Sequence, residues 1–131
     1  MGYNILIVDD SKIIRAMVKK NIEMAGLPVA SIHEAGNGEE ALAVMADAWI
    51  DVVFADIHMP RMNGIEMVER MSADNILVSI PVVMVSSDRS QAHIDRLNNL
   101  GIRAYIKKPF RPESFRDVVA DVLETMGGGQ P

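Results

Sequence analysis

Residues 4–11 read Asn-Ile-Leu-Ile-Val-Asp-Asp-Ser, an unbroken apolar run, Ile5–Val8, that ends in two adjacent carboxylates, Asp9 and Asp10. A run that does not alternate with polar residues fits a strand buried on both faces, as in a parallel sheet. The pattern recurs along the chain. Val52–Ala55 runs into Asp56, Val82–Val85 into Ser86-Ser87, and Ala104–Ile106 into Lys107-Lys108-Pro109. A fifth run, Val29–Ile32, is the weakest.

Helix-period segments separate the runs. Ile14, Met17, Val18, Asn21, Ile22 and Ala25 form a mostly apolar stripe closed by Gly26. Ala41, Leu42, Met45, Ala46 and Trp49 form a second, and Ile65, Val68, Met71 and Ser72 a shorter third. Phe115, Val118, Val119, Val122, Leu123 and Met126 form the clearest, opened by Pro112 and closed by Gly127. The segment 90–100 carries only Ile94, Leu97 and Leu100, which predicts a lightly buried helix with a free face. Asn37-Gly38 would suit a hairpin, but Glu39-Glu40-Ala41-Leu42 follows, so Asn37 reads as an N-cap with Glu40 at the third helical position. Strands and helices alternating five times make an α/β fold with a parallel sheet and right-handed crossovers. The alternation alone leaves the strand order open.

The 131 residues suit one domain, placed at 1–126 with a Gly-rich tail at 127–131. The absence of cysteine excludes disulfides and thiolate metal sites. A net charge of −5 argues against direct nucleic-acid binding, which needs a basic face. No apolar run reaches membrane-spanning length. The start has no basic region ahead of its apolar stretch, unlike a signal peptide, and Leu6 stands where a myristoylation motif needs Ser or Thr. A cytoplasmic location with no membrane partner is the expectation. His33 and His93 read as surface or edge residues, and the ten methionines as gap-fillers, mostly at helical core positions.

The polar residues that matter stand at strand ends. In open parallel α/β sheets, ligands bind outside the carboxyl ends of the strands. Four of the five runs therefore deliver carboxylates, a hydroxyl and a lysine to one edge. Ordinary loop polarity explains any one of them, but explains their convergence poorly. Like charges about 4 Å apart at an effective dielectric near 20 repel by about 4 kcal/mol. If Asp9, Asp10 and Asp56 meet, they must protonate, shift their pKa values or hold a cation. Oxygen ligands favour Mg²⁺, with Mn²⁺ as the alternative, over Zn²⁺. A metal, a lysine and a hydroxyl suit the three equatorial oxygens of a phosphoryl group, with a carboxylate beside them as nucleophile.

Val8-Asp9-Asp10-Ser11, Asp56-Ile57-His58-Met59-Pro60 with Met62 and Gly64, Val85-Ser86-Ser87, and Tyr105-Ile106-Lys107-Lys108-Pro109-Phe110 together resemble the response-regulator receiver domain of two-component signalling, over residues 4 to about 126. The resemblance implies a flavodoxin-like (βα)5 fold, a doubly wound sheet of order 2-1-3-4-5, the order given for the chemotaxis member CheY. It implies a phosphoacceptor switch rather than an enzyme acting on other substrates. A sensor histidine kinase would supply the phosphoryl group from a phosphohistidine. Asp56 matches the phosphoacceptor, and Asp9 and Asp10 the acidic pair that holds Mg²⁺, with Asp56 and the backbone carbonyl of His58 as further ligands. Lys108 matches the lysine that pairs with the phosphoryl oxygens. Lys107 competes by chemistry, but the family lysine directly precedes the proline, often through a cis bond, and neighbouring strand residues face opposite ways. Ser86 matches the hydroxyl that bonds the phosphoryl group, and Tyr105 the aromatic switch. His58 and Asp88, two residues after Asp56 and Ser86, match positions that tune dephosphorylation. The helix at 90–100, the strand at Tyr105 and the last helix would form the output face for a partner protein or domain, and receivers of this kind include phosphorylation-dependent homodimers.

Other readings fit less well. A phosphatase with an aspartate nucleophile usually carries a second acid two residues on, where His58 stands. A nucleotide or flavin binder needs a glycine-rich first loop, and Asp9-Asp10-Ser11-Lys12 is acidic and lacks glycine.

Overall fold

The computed structural model describes residues 2–127. Five strands and five helices alternate: β1 (Tyr3–Val8), α1 (Lys12–Met24), β2 (Val29–Ala35), α2 (Gly38–Asp47), β3 (Val52–Ala55), α3 (Gly64–Ser72), β4 (Val82–Ser86), α4 (Gln91–Asn99), β5 (Ala104–Lys107) and α5 (Pro112–Gly127). A 3₁₀ turn at Leu77–Ser79 precedes β4. The strands form one sheet in the order β2-β1-β3-β4-β5, and all pairs are parallel.

Side chains alternate across each strand, so the unbroken apolar runs feed two cores at once. Leu6, Val8, Val53, Ala55 and Met84 face α2, α3 and α4, where Ala41, Met45, Met67, Val68, Met71 and Leu97 meet them. Ile5, Ile7, Val52, Phe54, Val83, Val85 and Ile106 face α1 and α5, where Val18, Ile22, Phe115, Val119 and Val122 meet them. Phe115 lies at the centre of the second core, 6.0 Å from Phe54 and 4.9 Å from Phe110 between ring centroids.

Three expectations need correction. Trp49 and Ala46 are not on the buried stripe of the second helix. That helix ends at Asp47, and Trp49 is exposed, its indole N–H donating to Asp51 at 2.9 Å. Ser72, at the end of the third stripe, is exposed too. The methionines are not mostly helical core: of those described, only Met45, Met67 and Met71 are buried on helices. Met62 is buried in a loop and Met84 in a strand, whereas Met17 and Met24 lie exposed on α1, and Met59 is half-buried. The side chains of Leu123 and Met126 in the last stripe, and residues 128–131 of the tail, lie outside what is described. On α4 only Leu97 is fully buried, as the thin stripe predicts.

The caps set where the helices begin and so where the strand-end loops point. Ser11, Asn37, Asn63 and Ser90 each accept the backbone N–H three residues on. Asn63 and Glu66 close a full capping box on α3.

Candidate functional site

Lys108 joins the carboxyl ends of β1 and β3. Its Nζ donates to Asp9 Oδ2 at 3.0 Å and to Asp56 Oδ2 at 3.1 Å. All three side chains are largely enclosed, at 17%, 5% and 11% exposure for Lys108, Asp9 and Asp56. Lys107 is the last residue of β5 and is exposed, whereas Lys108 lies just beyond the strand and reaches back across the sheet edge. The Lys108–Pro109 peptide is cis.

The two carboxylates are held by backbone as well. Asp9 Oδ1 accepts the Ser11 N–H at 2.9 Å, and Asp56 Oδ1 accepts the Ile57 N–H at 2.7 Å. Burial pushes the Asp9 carboxyl above the ordinary aspartate value. The Ser11 N–H and Lys108 pull it back, and the Asp56 charge adds to the rise. Burial works to lower the Lys108 pKa, but its bonds to Asp9 and Asp56 outweigh that and raise it, so the ammonium stays charged. One cation thus faces two carboxylates. Asp10 follows at the exposed side of the same turn, the next carboxylate along the chain.

The floor of the pocket depends on a glycine. Gly64 opens α3, and its N–H donates to the Ile57 carbonyl at 2.8 Å. A Cβ there would lie 2.2 Å from the Asp56 carbonyl oxygen, so only glycine lets α3 start this close to Asp56. The loop between them also holds Arg61 at φ 66°, a left-handed turn that lowers Met62 onto α2.

Ser86 ends β4, fully buried, and its Oγ accepts the Asp88 N–H at 3.2 Å. Tyr105 is half-buried, and its hydroxyl donates to the Asp88 carbonyl. Burial first, and then the Asp88 and Asp56 charges, raise the Tyr105 pKa against the Ser86 hydroxyl. Asp88 is therefore the hub between Ser86 and Tyr105. It also meets His58 Nε2 at 2.6 Å and His93 Nδ1 at 2.8 Å. Burial would raise the Asp88 pKa, but the Ser90 N–H and the two imidazoles outweigh it and hold the carboxyl below its ordinary value.

Sequence reading overlooked two residues. His93, which reads in sequence as a surface or edge residue, is tied to Asp88 from the first turn of α4. Arg15 reaches over β1, donating through Nη1 to the Asp9 carbonyl and through Nε to Glu34 at 2.7 Å. An arginine on an amphipathic helix looks like surface charge, and only the crossing of α1 over β1 shows what it holds.

The chain has extensive likeness to known proteins. The family profile described as the response regulator receiver domain matches residues 5–120. The chemotaxis protein CheY1 of Helicobacter pylori is 33% identical over 122 residues, spanning 92% of this chain and 97% of that protein. The phosphate regulon transcriptional regulatory protein PhoB of Pseudomonas aeruginosa is 34% identical over 129 residues, a match that takes 98% of this chain and 55% of PhoB. Among solved structures, the chemotaxis response regulator CheY4 of Vibrio cholerae superposes with a TM-score of 0.79 at 32% identity, covering 94% of this chain and 100% of that one. The receiver domain of AraT from Geobacillus stearothermophilus reaches 0.85 at 28% identity over 100% of both chains. Sheet order and sequence agree over nearly the whole length, and this chain belongs to the response regulator receiver domain family, with a CheY-like fold.

Proposed function

We propose that Asp56 is the phosphoacceptor of this receiver. The single observation that carries the assignment is Lys108 Nζ shared between Asp56 and Asp9 at 3.1 and 3.0 Å. A buried carboxylate beside a fixed cation is a nucleophile with a ready partner for the incoming charge. An Asp56 carboxylate oxygen attacks the phosphorus of a phosphohistidine. The new P–O bond forms as the P–N bond breaks, and the imidazole leaves with the electron pair. Lys108 then binds a phosphoryl oxygen, and Ser86 Oγ donates to another once it gives up the Asp88 N–H. Tyr105, bonded to the same Asp88, carries that movement to the face of α4, β5 and α5. A side chain at His58 shields the acyl phosphate and, with Asp88, tunes its loss.

The donor set suits a hard dication. Two enclosed carboxylates share one ammonium, Asp10 adds another charge, and burial already raises the Asp9 carboxyl. Asp9, Asp10, Asp56 and the His58 carbonyl would hold Mg²⁺, or Mn²⁺ in its place. The ion supplies charge neutralisation for the phosphoryl oxygens.

The family consists of signalling switches that work with histidine kinases and output partners. For this chain we take a sensor histidine kinase as donor, and a protein or domain docking on α4–β5–α5 as the output, with a phosphorylation-dependent homodimer through the same face as a further state. Residues 1–126 would act as the receiver unit, and 127–131 as its tail. No described helix is long and apolar enough to cross a membrane, and a cytoplasmic site of action fits the partners proposed.

The test is incubation with acetyl phosphate, with and without Mg²⁺, read promptly by intact mass. One added phosphoryl group is expected, dependent on Mg²⁺ and absent from Asp56→Asn. No adduct, together with no binding of beryllofluoride, would overturn the assignment.

A further inference from the structure

A second convergent cluster stands at the rim of the Asp56 pocket, built from nitrogen donors where the pocket offers oxygen. His58 Nε2 and His93 Nδ1 both point at one oxygen, Asp88 Oδ2, at 2.6 and 2.8 Å. One ligand atom from each of the three residues lies within 4.8 Å of the others. The rings meet edge to face, with centroids 6.2 Å apart. We propose that His58, Asp88 and His93 form a binding site for a transition-metal dication of the Zn²⁺ class, separate in its chemistry from the oxygen pocket beside it.

The donor set is the first argument. Two imidazoles and a carboxylate suit Zn²⁺ and its neighbours, whereas Mg²⁺ prefers oxygen throughout. Three protein ligands with further positions open to water is a common arrangement for Zn²⁺. The second argument is that Asp88 is held in place already. Its Oδ1 accepts the Ser90 N–H at 2.7 Å, its own N–H goes to Ser86 Oγ, and its carbonyl accepts from Tyr105. The side chain is 6% exposed, so Oδ2 is presented in one direction. The imidazoles are the adjustable members, at 64% and 43% exposure, and they leave the site open to an arriving ion.

The chemistry balances without a co-reactant. A carboxylate only accepts, so each facing nitrogen now carries its N–H toward Asp88. On binding, each ring gives up the facing proton, to its other nitrogen or to solvent, and offers the facing lone pair to the metal. Tetrahedral Zn²⁺ with bonds of about 2.0–2.2 Å places its donors about 3.3–3.6 Å apart. The rings therefore back away from Oδ2 by roughly 0.5–1.0 Å to admit the ion, a shift that exposed side chains make readily.

The three ligands come from the loop after β3, the loop after β4 and the first turn of α4, so a bound ion would tie these segments together. The inference stands whether or not Asp56 takes a phosphoryl group, because its readout is binding of the metal alone. The experiment is titration of the whole chain with zinc chloride in excess Mg²⁺, by calorimetry and by the imidazole resonances. One Zn²⁺ per chain is expected, with the signals of His58 and His93 moving and that of His33 still. Affinity should fall about tenfold or more in His58→Gln and in His93→Gln, with far-UV circular dichroism unchanged, and should persist in Asp56→Asn. No binding would leave the trio a hydrogen-bonded brace and sink the proposal. Binding that survives His93→Gln, or that disappears in Asp56→Asn, would sink it equally, since the ion would then sit elsewhere.

Discussion

At the scale of single residues, the pocket is governed by close approach. Gly64 and Gly38 each open a helix, and each has a neighbour within 3 Å of where a Cβ would stand. Their neighbours differ. Gly64 abuts the Asp56 carbonyl, which is backbone and cannot yield, while Gly38 abuts the flexible side chain of Met62. Gly64→Ala is expected to cost about 1–3 kcal/mol and to slow phosphoryl uptake by displacing Asp56. Gly38→Ala should cost less, because Met62 can repack. Urea denaturation of both variants beside an intact-mass assay checks the contrast, and equal costs would contradict it. Much of this pocket was legible. Asp9, Asp56 and Ser86 each follow or end an apolar run, and a parallel sheet aligns those ends, whereas Lys108 is told from Lys107 by family resemblance, which puts the lysine directly before the proline. His93 was not legible, since its partner Asp88 is a loop residue whose direction depends on Ser86 and Tyr105 behind it. Asp10 was grouped with Asp9 by adjacency, and the turn places it on the exposed side.

At the scale of elements, helix starts are set by side-chain caps. Asn63 accepts the Glu66 N–H at 2.9 Å, and Glu66 returns the bond to the Asn63 N–H at 3.1 Å. Asn63→Ala should cost about 1 kcal/mol, measured as a lower urea midpoint at unchanged slope. The 3₁₀ turn before β4 is capped in a different way, with Asp74 Oδ1 accepting the N–H groups of Ile76 and Leu77 at 2.8 and 2.9 Å. Those bonds, that of Leu77 foremost, lower the Asp74 pKa. A carboxyl with a depressed folded-state pKa stabilises the fold above its unfolded value, and that contribution disappears as pH falls through the folded one. Carboxyl NMR should show Asp74 titrating below its ordinary value of 3.8, and the shift should vanish in urea. Element boundaries were less legible than element types. The second strand extends to Ala35, three residues past the apolar run, because pairing with β1 continues through His33 and Glu34 at the sheet edge. Trp49 continued a helical spacing that the chain itself abandons at Ala48, whose backbone is extended.

At the scale of the molecule, one sheet serves two cores, and Phe115 is the main anchor of the second. Phe115→Ala should cost about 3–5 kcal/mol, since it removes the ring between Phe54 and Phe110. Unfolding should remain a single transition, because both cores share the same strands. A separate early loss of α5, seen by hydrogen exchange, would show that the last helix is an independent unit instead. The architecture was readable from alternation of strand and helix, and the order of the strands was supplied by family resemblance, because periodicity carries no information about which strand lies beside which. The lysine shared by Asp9 and Asp56 comes from the far end of the domain, 99 positions after the first of these carboxylates. On a ribosome moving at about 5–20 residues per second, the first carboxylate is made roughly 5–20 s before its counter-charge. A nascent chain released or stalled short of Lys108 would carry the acids without the lysine. The paired charges at this sheet edge are therefore complete only in chains translated as far as Lys108, just ahead of the last helix.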